Sequence, residues 1–345
     1  MTRNPQIRPG TGVRVMKRLR RRLAVSFAAS LGAALSLAAA PAAAQSQSYP
    51  NRPVTLLVPF AVGSSTDIMT RVVAKGLNER LKTGYFIVDN KPGANGVIAS
   101  DLVAKAKPDG YTLVVGTGTT HTQVPWMMKA VPYDPVKDFE PVGGIGGVPL
   151  ALLVGRDSPI RSMDDLRKTV AANPGKHTYG TAFGMATVCG ENVRRGFNID
   201  LAQVPYKSSP QALTDLMGGR LTVLCTDFNS AMGAIRSNQV RAIAVTTAQR
   251  NNQLPDVPTV AESIPAFPEM RSWVGVFAPR GTPPEITQML GREILAVTES
   301  PELLKALSPN GFERLPLQGA ELRDFVQREL AKWGKLIESA GIKPE

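Results

Sequence analysis

Residues 54–67 of the chain are Val-Thr-Leu-Leu-Val-Pro-Phe-Ala-Val-Gly-Ser-Ser-Thr-Asp. The continuous apolar run at residues 54–60 is typical of a strand that is buried on both faces of a sheet. Apolar residues then recur at helical spacing over residues 67–81, which predicts an amphipathic helix. This stretch therefore predicts a buried strand that passes through a loop of small and hydroxyl residues into a helix.

The same alternation continues along the chain. Strands are predicted at residues 85–88 and 111–115, with a helix at 97–106 between them, and this β-α-β-α-β order predicts a parallel sheet covered by helices. A second unit of this α/β kind begins near residue 148. Its predicted strands are at 150–154, 178–182, 221–225 and 240–245, and its predicted helices are at 163–172, 188–195 and 209–218. A strand at 273–277 and helices at 285–298 and 319–340 close the chain.

The N-terminal residues have the pattern of an export signal. A basic segment, Lys17 to Arg22, precedes an apolar run and the small residues Ala42-Ala43-Ala44, as in a signal peptide. We expect Met16 to be the true start, residues 1–44 to be removed, and cleavage to follow Ala44. The alternative is a membrane anchor, because the apolar run from Leu23 to Ala40 is long enough to be considered.

The net charge depends strongly on this leader. The whole chain carries +12, but eight of its 40 basic residues and none of its 28 acidic residues lie in residues 1–44, so the remainder carries +4. A nucleic-acid partner therefore loses most of its support. A mildly positive balance suits an anionic ligand.

The cysteines and histidines form no recognisable metal motif. Cys189 and Cys225 could form a disulfide in an oxidising compartment or remain two buried free thiols. His121 and His177 stand at wide spacing from both cysteines. No phosphate loop, dinucleotide fingerprint, metalloprotease motif or nucleophile elbow is present, so no cofactor, metal or catalytic residue is predicted. The alternative is a periplasmic hydrolase of carboxylated esters or amides, with Ser64, Ser65 or Cys189 as nucleophile and His121 as base.

Two loops between a predicted strand and a predicted helix are rich in small and hydroxyl residues, at 59–67 and 179–187. Backbone N–H groups at a helix start are unpaired and lie at the positive end of the helix dipole, so they bind anions. The alternative is ordinary helix capping by side chains such as Ser65, Thr66 and Thr187. For Asp67 we favour capping, because its carboxylate would repel an anionic ligand.

The chain also resembles a known family. From residue 49 to residue 341 it is similar to the substrate-binding proteins of tripartite tricarboxylate transporters, the Bug family. Seven stretches carry the resemblance in the family's order. They are residues 58–67 with Arg71, 89–96, 106–113, 133–142, 204–207 with 216–219, 255–259 with Glu262, and 278–283.

The resemblance implies a type II periplasmic-binding fold, with two lobes of mixed, mainly parallel sheets around a ligand cleft. One lobe is expected at residues 45–147 and 261–345, and the other at 148–260. It implies a monomeric, non-enzymatic protein of the periplasm that captures a small carboxylate by lobe closure. The partner is expected to be the membrane subunits of a transporter or, alternatively, the outer domain of a sensor kinase.

The resemblance also implies which residues bind the ligand. Asp227 is expected to recognise an amino or hydroxyl group of the ligand, the alternative being a turn or capping role. His121 follows a strand and is expected to line the cleft, the alternative being a loop histidine with internal partners. The two loops are expected to grip the carboxylate through Phe60, Ala61, Gly63, Ser64, Ser65 and Thr66, and through Thr181, Ala182, Phe183, Gly184, Met185, Ala186 and Thr187.

Two departures from the family pattern bear on the ligand. The first loop has Val62-Gly63-Ser64 where the family often has Pro-Gly-Gly. The second loop is about one residue shorter and has Val188 at the usual histidine position. Because Phe183 and Met185 make this side bulkier and more apolar, we expect a ligand with an apolar or aromatic body, or one smaller than citrate. Equal affinity for citrate and for a monocarboxylate of similar size would contradict this expectation.

Overall fold

The computed structural model describes residues 1–2, 49–82 and 85–344. The predicted leader and its cleavage site at Ala44 lie outside these residues. Within the described ranges, no helix is both long enough and apolar enough to cross a membrane. The chain from Tyr49 onward forms one compact unit, which contains two β-sheets.

Eleven strands lie in the described residues. They are β1 (Val54–Val58), β2 (Phe86–Asn90), β3 (Thr112–Thr117), β4 (Phe139–Gly147), β5 (Leu150–Gly155), β6 (His177–Thr181), β7 (Leu201–Pro205), β8 (Val223–Asp227), β9 (Val240–Val245), β10 (Val274–Pro279) and β11 (Glu313–Arg314). The first sheet has the order β11-β4-β10-β3-β1-β2, and the second has the order β7-β6-β8-β5-β9. The strands of the second sheet are therefore all inserted between β4 and β10 of the first.

Ten α-helices accompany these strands in the part of the chain that the structure describes. They are α1 (Ser65–Leu81), α2 (Val97–Ala104), α3 (Val124–Met127), α4 (Met163–Ala172), α5 (Gly184–Gly196), α6 (Ser209–Met217), α7 (Phe228–Arg236), α8 (Pro284–Thr298), α9 (Pro301–Leu307) and α10 (Gly319–Ser339). A π-helical turn, Thr119–Gln123, leads into α3. Short 3-10 turns lie at Ala94–Gly96, Val260–Glu262 and Ser308–Asn310.

The predicted β-α-β-α-β unit is confirmed, because β1 pairs in parallel with both β2 and β3. Both sheets are mixed, as expected. The antiparallel share is larger than predicted, since β10 pairs antiparallel with β3 and β4, and β5 pairs antiparallel with β8 and β9. This follows from the insertion, because β10 enters the first sheet from the second and runs against β3.

Several boundaries differ from the sequence prediction. Helix α5 begins at Gly184 rather than at residue 188, and β8 spans residues 223–227 rather than 221–225. Ser208 caps α6, accepting a hydrogen bond from the N–H of Gln211. Strand β4 was missed because four of its nine residues are glycines. Their lack of side chains lets β4 pack closely against Ile294 and the backbone of Leu315.

The chain passes between the sheets twice, after β4 and before β10, and the two passages are paired. The Val148 N–H donates to Ser272 Oγ at 3.0 Å, and the Ser272 N–H donates to the Val148 carbonyl at 3.0 Å. A Cβ at Gly147 would lie 1.7 Å from the Ser272 carbonyl oxygen. The two passages therefore lie so close that only glycine fits at position 147.

Gly147→Ala is expected to lower the free energy of unfolding by about 1–3 kcal/mol or more, because its methyl group would clash with the backbone carbonyl of Ser272. Gly233→Ala is the matched control, since Gly233 lies inside α7 and a Cβ there meets no described atom within 4 Å. The control is expected to be neutral or to stabilise by up to about 1 kcal/mol. Urea titrations of both variants test this difference, and equal midpoints would contradict it.

Candidate ligand-binding site

One cavity is lined by residues that follow strands of both sheets. Its volume is about 50 Å³. The first turns of α1, α5, α6 and α7 reach it, together with the end of β3 and the segment before β10. The lining residues are Phe60, Ser64, Ser65, Thr66, Met69, Thr117, Gly118, Thr119, Ala182, Phe183, Met185, Ser208, Ser209, Asp227, Ser272, Trp273 and Val274. Among these described residues no lysine or arginine occurs, and Asp227 is the only one with an ionisable carboxyl group.

The loop before α1 presents free backbone donors to this cavity. Ser64 is the N-cap residue, and its hydroxyl accepts the N–H of Asp67 at 3.3 Å. The N–H groups of Ser65 and Thr66 have no acceptor in the described part of the chain. Both residues are buried, so these two N–H groups are available to an anion at the positive end of the helix dipole.

Asp67 holds this loop in place. Its carboxylate accepts the Gly63 N–H at 3.0 Å and the Asn90 amide at 2.9 Å, and it pairs with Arg71 at 2.9 Å. Burial opposes ionisation, but the hydrogen bonds from Arg71, Gly63 and Asn90 outweigh it and hold the pKa of Asp67 below its usual value. Because Arg71 balances its charge, Asp67 orders the loop instead of facing the cavity.

The loop before α5 also leaves backbone N–H groups free, but no side chain caps this helix. Phe183 is the N-cap residue and forms no side-chain cap. Its carbonyl accepts the N–H groups of Ala186 and Thr187 at 3.0 and 3.3 Å. The N–H groups of Gly184 and Met185 have no acceptor among the described residues. A second helix start thus brings the free Met185 N–H to the cavity, while Gly184 lies just outside its lining.

Asp227 caps a helix, which was the alternative considered for it, and it also lines the cavity. Its carboxylate accepts the N–H of Ser230 at 2.9 Å at the start of α7. Burial raises the pKa of Asp227 above its ordinary value, although hydrogen bonds from Ser230 and Ser65 act against this shift. The neighbouring Asn229 donates to the Ser65 hydroxyl at 3.0 Å, which links α7 to the start of α1.

His121 lies elsewhere. Its side chain is fully buried and is not among the residues that line the cavity. The ring stacks on Phe277 at 4.2 Å between centroids, and Nδ1 lies 2.9 Å from the Thr120 hydroxyl. Nε2 has no hydrogen-bond partner within the described ranges. Burial lowers the pKa of His121 to about 3, so the ring is neutral at physiological pH, and this placement favours the internal-histidine alternative.

The structure brings about half of the predicted ligand-binding residues to the cavity. Those that line it are Phe60, Ser64, Ser65, Thr66, Ala182, Phe183, Met185 and Asp227. Ala61, Gly63, His121, Thr181, Gly184, Ala186 and Thr187 lie outside the lining. Gln203 donates to the hydroxyls of Thr181 and Thr187 at 2.9 and 3.4 Å, which turns these two side chains away from the cavity.

Several residues that line the cavity were not predicted from the sequence. Residues 117–119 follow a predicted strand as the two loops do, so their position could have been found from the pattern. Ser208 and Ser209 lie at the start of α6, where the sequence predicted a helix and no ligand contact. Ser272, Trp273 and Val274 reach the cavity because the second passage between the sheets runs past it, and no sequence pattern predicts that contact.

The cysteine pairing is now decided, because Cys189 and Cys225 form a disulfide with a Cα–Cα distance of 6.5 Å. It joins α5, which begins at the second loop, to β8, which ends at Asp227. Neither cysteine is free. Within the described residues, no group of three or more His, Cys, Asp or Glu side chains could hold a metal ion.

Known proteins share this architecture. The family described as the tripartite tricarboxylate transporter family receptor matches residues 69–342. A UPF0065 protein of Bordetella bronchiseptica is 35% identical over 305 residues, which cover 87% of this chain and 89% of that protein. The structure of R. palustris Rpa4515 with adipate superimposes with a TM-score of 0.83 at 34% identity, covering 86% of this chain and all of that one. The periplasmic binding protein BugD gives a TM-score of 0.82 at 31% identity, with 86% and 100% coverage. This chain therefore belongs to the family of tripartite tricarboxylate transporter receptors, the Bug proteins.

Proposed function

We propose that this protein is a periplasmic binding protein that captures a small carboxylate and delivers it to the membrane subunits of a tripartite transporter. The observation that carries the proposal is the pair of helix starts at one cavity, α1 with the free N–H groups of Ser65 and Thr66 and α5 with that of Met185. Neutral donors at two helix starts can hold an anion without a buried cation. The similarity to Rpa4515, whose structure contains adipate, supports this ligand class.

The apolar side chains that line the cavity suit a ligand whose middle part is apolar. Phe60, Phe183, Met185 and Trp273 line the cavity beside the hydroxyl groups. These side chains favour a ligand with an aliphatic or aromatic middle and polar ends. They support the expectation that the ligand is more apolar or smaller than citrate.

Capture requires the cavity to open. We propose that residues 45–147 with 261–345 and residues 148–260 act as two lobes that move about the paired passages at Val148 and Ser272. The cavity of about 50 Å³ then corresponds to a closed form, and ligand binding shifts the population towards it.

We propose no catalytic role for this site. The hydrolase alternative needs His121 as base and a serine or Cys189 as nucleophile. His121 lies among aromatic rings with Nδ1 directed at Thr120, and Cys189 is bonded to Cys225. Neither group has the placement that proton transfer or nucleophilic attack in the cavity requires.

The experiment that tests the function removes one backbone donor. A thermal-shift screen of carboxylates on the protein from residue 45 onward identifies binders, since a ligand at 100 times its Kd adds about 2.7 kcal/mol of stability. Ser65→Pro then deletes the N–H at the first position of α1, where proline is tolerated. We expect affinity for any carboxylate found to fall about tenfold or more, because a hydrogen bond to a charged group is lost.

Ser65→Ala is the matched control, because it keeps the N–H and removes the hydroxyl. Its affinity is expected to stay within a few-fold of the parent. Calorimetric titration of both variants with the same acid separates the two roles. If proline and alanine at position 65 bind the acid equally well, the α1 start does not hold the carboxylate.

A further inference from the structure

The cavity holds one acidic group and, among the described residues that line it, no basic group. The acidic group is the carboxyl of Asp227, which is 4% exposed at the end of β8. The proposed ligand is itself an anion and shares this cavity of about 50 Å³. Two carboxylates would then be enclosed together without a counter-ion, which is unfavourable unless one of them is neutral.

The hydrogen bonds to Asp227 supply no positive charge. Its Oδ1 accepts the Ser230 N–H at 2.9 Å, and its Oδ2 accepts the Ser230 hydroxyl at 3.2 Å. The Ser65 hydroxyl also donates to this carboxyl. All three donors are neutral. Asp67 is paired with Arg71, whereas Asp227 has no counter-ion within the described ranges.

Charged groups also lie on the elements that pack against β8 and α7, but each has a partner outside the cavity. None of them is in the lining. They are Asp67 and Arg71 of α1, which pair with each other, Glu191 of α5, which bonds Tyr179 of β6 and Arg194, Asp215 of α6, which pairs with Arg220, Arg236 of α7 and Arg241 of β9, which donate to the carbonyls of Pro309 and Ile160, and His177 of β6, which lies beside the Thr222 hydroxyl. These groups therefore do not compensate for the repulsion between Asp227 and a bound anion.

This repulsion is large enough to decide the protonation state of Asp227. Two unit charges about 5 Å apart, at an effective dielectric constant of about 20, repel strongly enough to weaken binding by roughly a few hundred-fold. Protonation of Asp227 removes the repulsion and gives the carboxyl an O–H that can donate to a ligand oxygen. Burial already raises the pKa of Asp227 above its ordinary value, and a neighbouring anion raises it further.

We propose that Asp227 binds one proton from solvent as the carboxylate is captured, so that capture is coupled to proton uptake. The proposal rests on the proposed function and narrows its ligand class to acids without an ammonium group, because an ammonium group would itself balance an ionised Asp227. Affinity is expected to fall as the pH rises, by up to about tenfold per pH unit, wherever Asp227 is ionised in the free protein and protonated in the complex.

Proton uptake can be counted on the parent protein. The probe is adipate, the acid in the Rpa4515 structure, and if it does not bind, the tightest-binding acid of the carboxylate screen replaces it. Titrations between about pH 6.5 and 8.5 keep the acid ionised, since carboxylic acids titrate near about pH 4–5. At each pH, calorimetry is repeated in two buffers whose enthalpies of ionisation differ. The difference in heat is expected to show uptake of about one proton where the affinity depends on pH.

Asp227→Asn tests the assignment to this residue. Asparagine is a good N-cap residue, so α7 keeps its cap, and its neutral amide replaces the protonated carboxyl. At about pH 8.5 the variant is expected to bind the acid about tenfold or more tightly than the parent, without proton uptake. Asp134→Asn is the matched control, because Asp134 also accepts a backbone N–H, that of Val136 at 2.9 Å, and does not line the cavity. The control is expected to keep the parent's proton uptake.

Three results would overturn the coupling and leave the proposed function standing. They are binding by the parent without proton uptake, proton uptake that persists in Asp227→Asn, and weaker binding by Asp227→Asn at every pH, which would show that an ionised Asp227 assists the ligand. If no carboxylate binds the parent, the proposed function fails and the coupling fails with it. Because the proton count is made on the parent, it decides the proposal even if Asp227→Asn does not fold.

Discussion

Lowering the pH from 7 to 3.5 is expected to remove roughly 4 kcal/mol of stability through His121 alone. Burial lowers the pKa of this ring to about 3 in the folded protein, whereas an unfolded histidine titrates near about 6.5. Between these values the unfolded chain binds a proton that the folded chain does not, so stability is present above about pH 6.5 and is lost as the pH falls. Each pH unit in this window costs up to about 1.4 kcal/mol.

His121→Leu isolates this effect, because leucine has a similar volume and does not titrate. Its free energy of unfolding, measured by urea titration at several pH values, is expected to fall less steeply below pH 6.5 than that of the parent. If the free energies of unfolding of the parent and of His121→Leu fall in parallel as the pH is lowered, His121 does not cause this loss of stability.

Removing the disulfide is expected to lower the free energy of unfolding by about 3–4 kcal/mol. The bond closes a loop with a sequence separation of 36, and a cross-link of that length restricts the unfolded chain by about this amount. Both cysteines are buried in the second sheet's core. The bond joins α5, which begins at the second loop, to β8, which ends at Asp227. Its removal is expected to destabilise the whole protein.

The measurement compares the oxidised parent with Cys189→Ala/Cys225→Ala in urea. The double variant is expected to unfold at lower urea concentration and to show no further change on addition of dithiothreitol, whereas the parent shifts towards it. Thiol alkylation of the unfolded, unreduced parent serves as a control and is expected to label no cysteine. A parent whose midpoint is insensitive to reduction contradicts the prediction.

The strands and helices around residues 54–117 follow from local pattern. A run of apolar residues must be buried on both faces, and an amphipathic helix must cover it, so the parallel arrangement of β1, β2 and β3 was predictable. Strand β4 was not, because Gly143 and its neighbouring glycines do not have the side chains by which strands are recognised. They are buried because Ile294 and Leu315 come close to them from elsewhere in the chain.

The candidate site divides in the same way. Ser64, Ser65 and Phe183 could be predicted, because a loop that enters a helix carries its own signal of small and capping residues. His121 could not be placed correctly from its position after a strand. Its ring packs on Phe277 and Phe139, which join the same sheet through long-range pairing, and this packing turns it away from the cavity.

By itself, the sequence determined the α/β class, the two helix starts suited to an anion, and the family resemblance, because each depends on residues that are close together in the chain. Only the tertiary structure decided that Cys189 reaches Cys225, that His121 is enclosed by aromatic rings, and that Trp273 lines the cavity. Each of these contacts joins segments from different strands or turns. Their proximity is set by sheet order and by the two passages between the sheets, which short-range patterns of polarity and turn propensity do not specify.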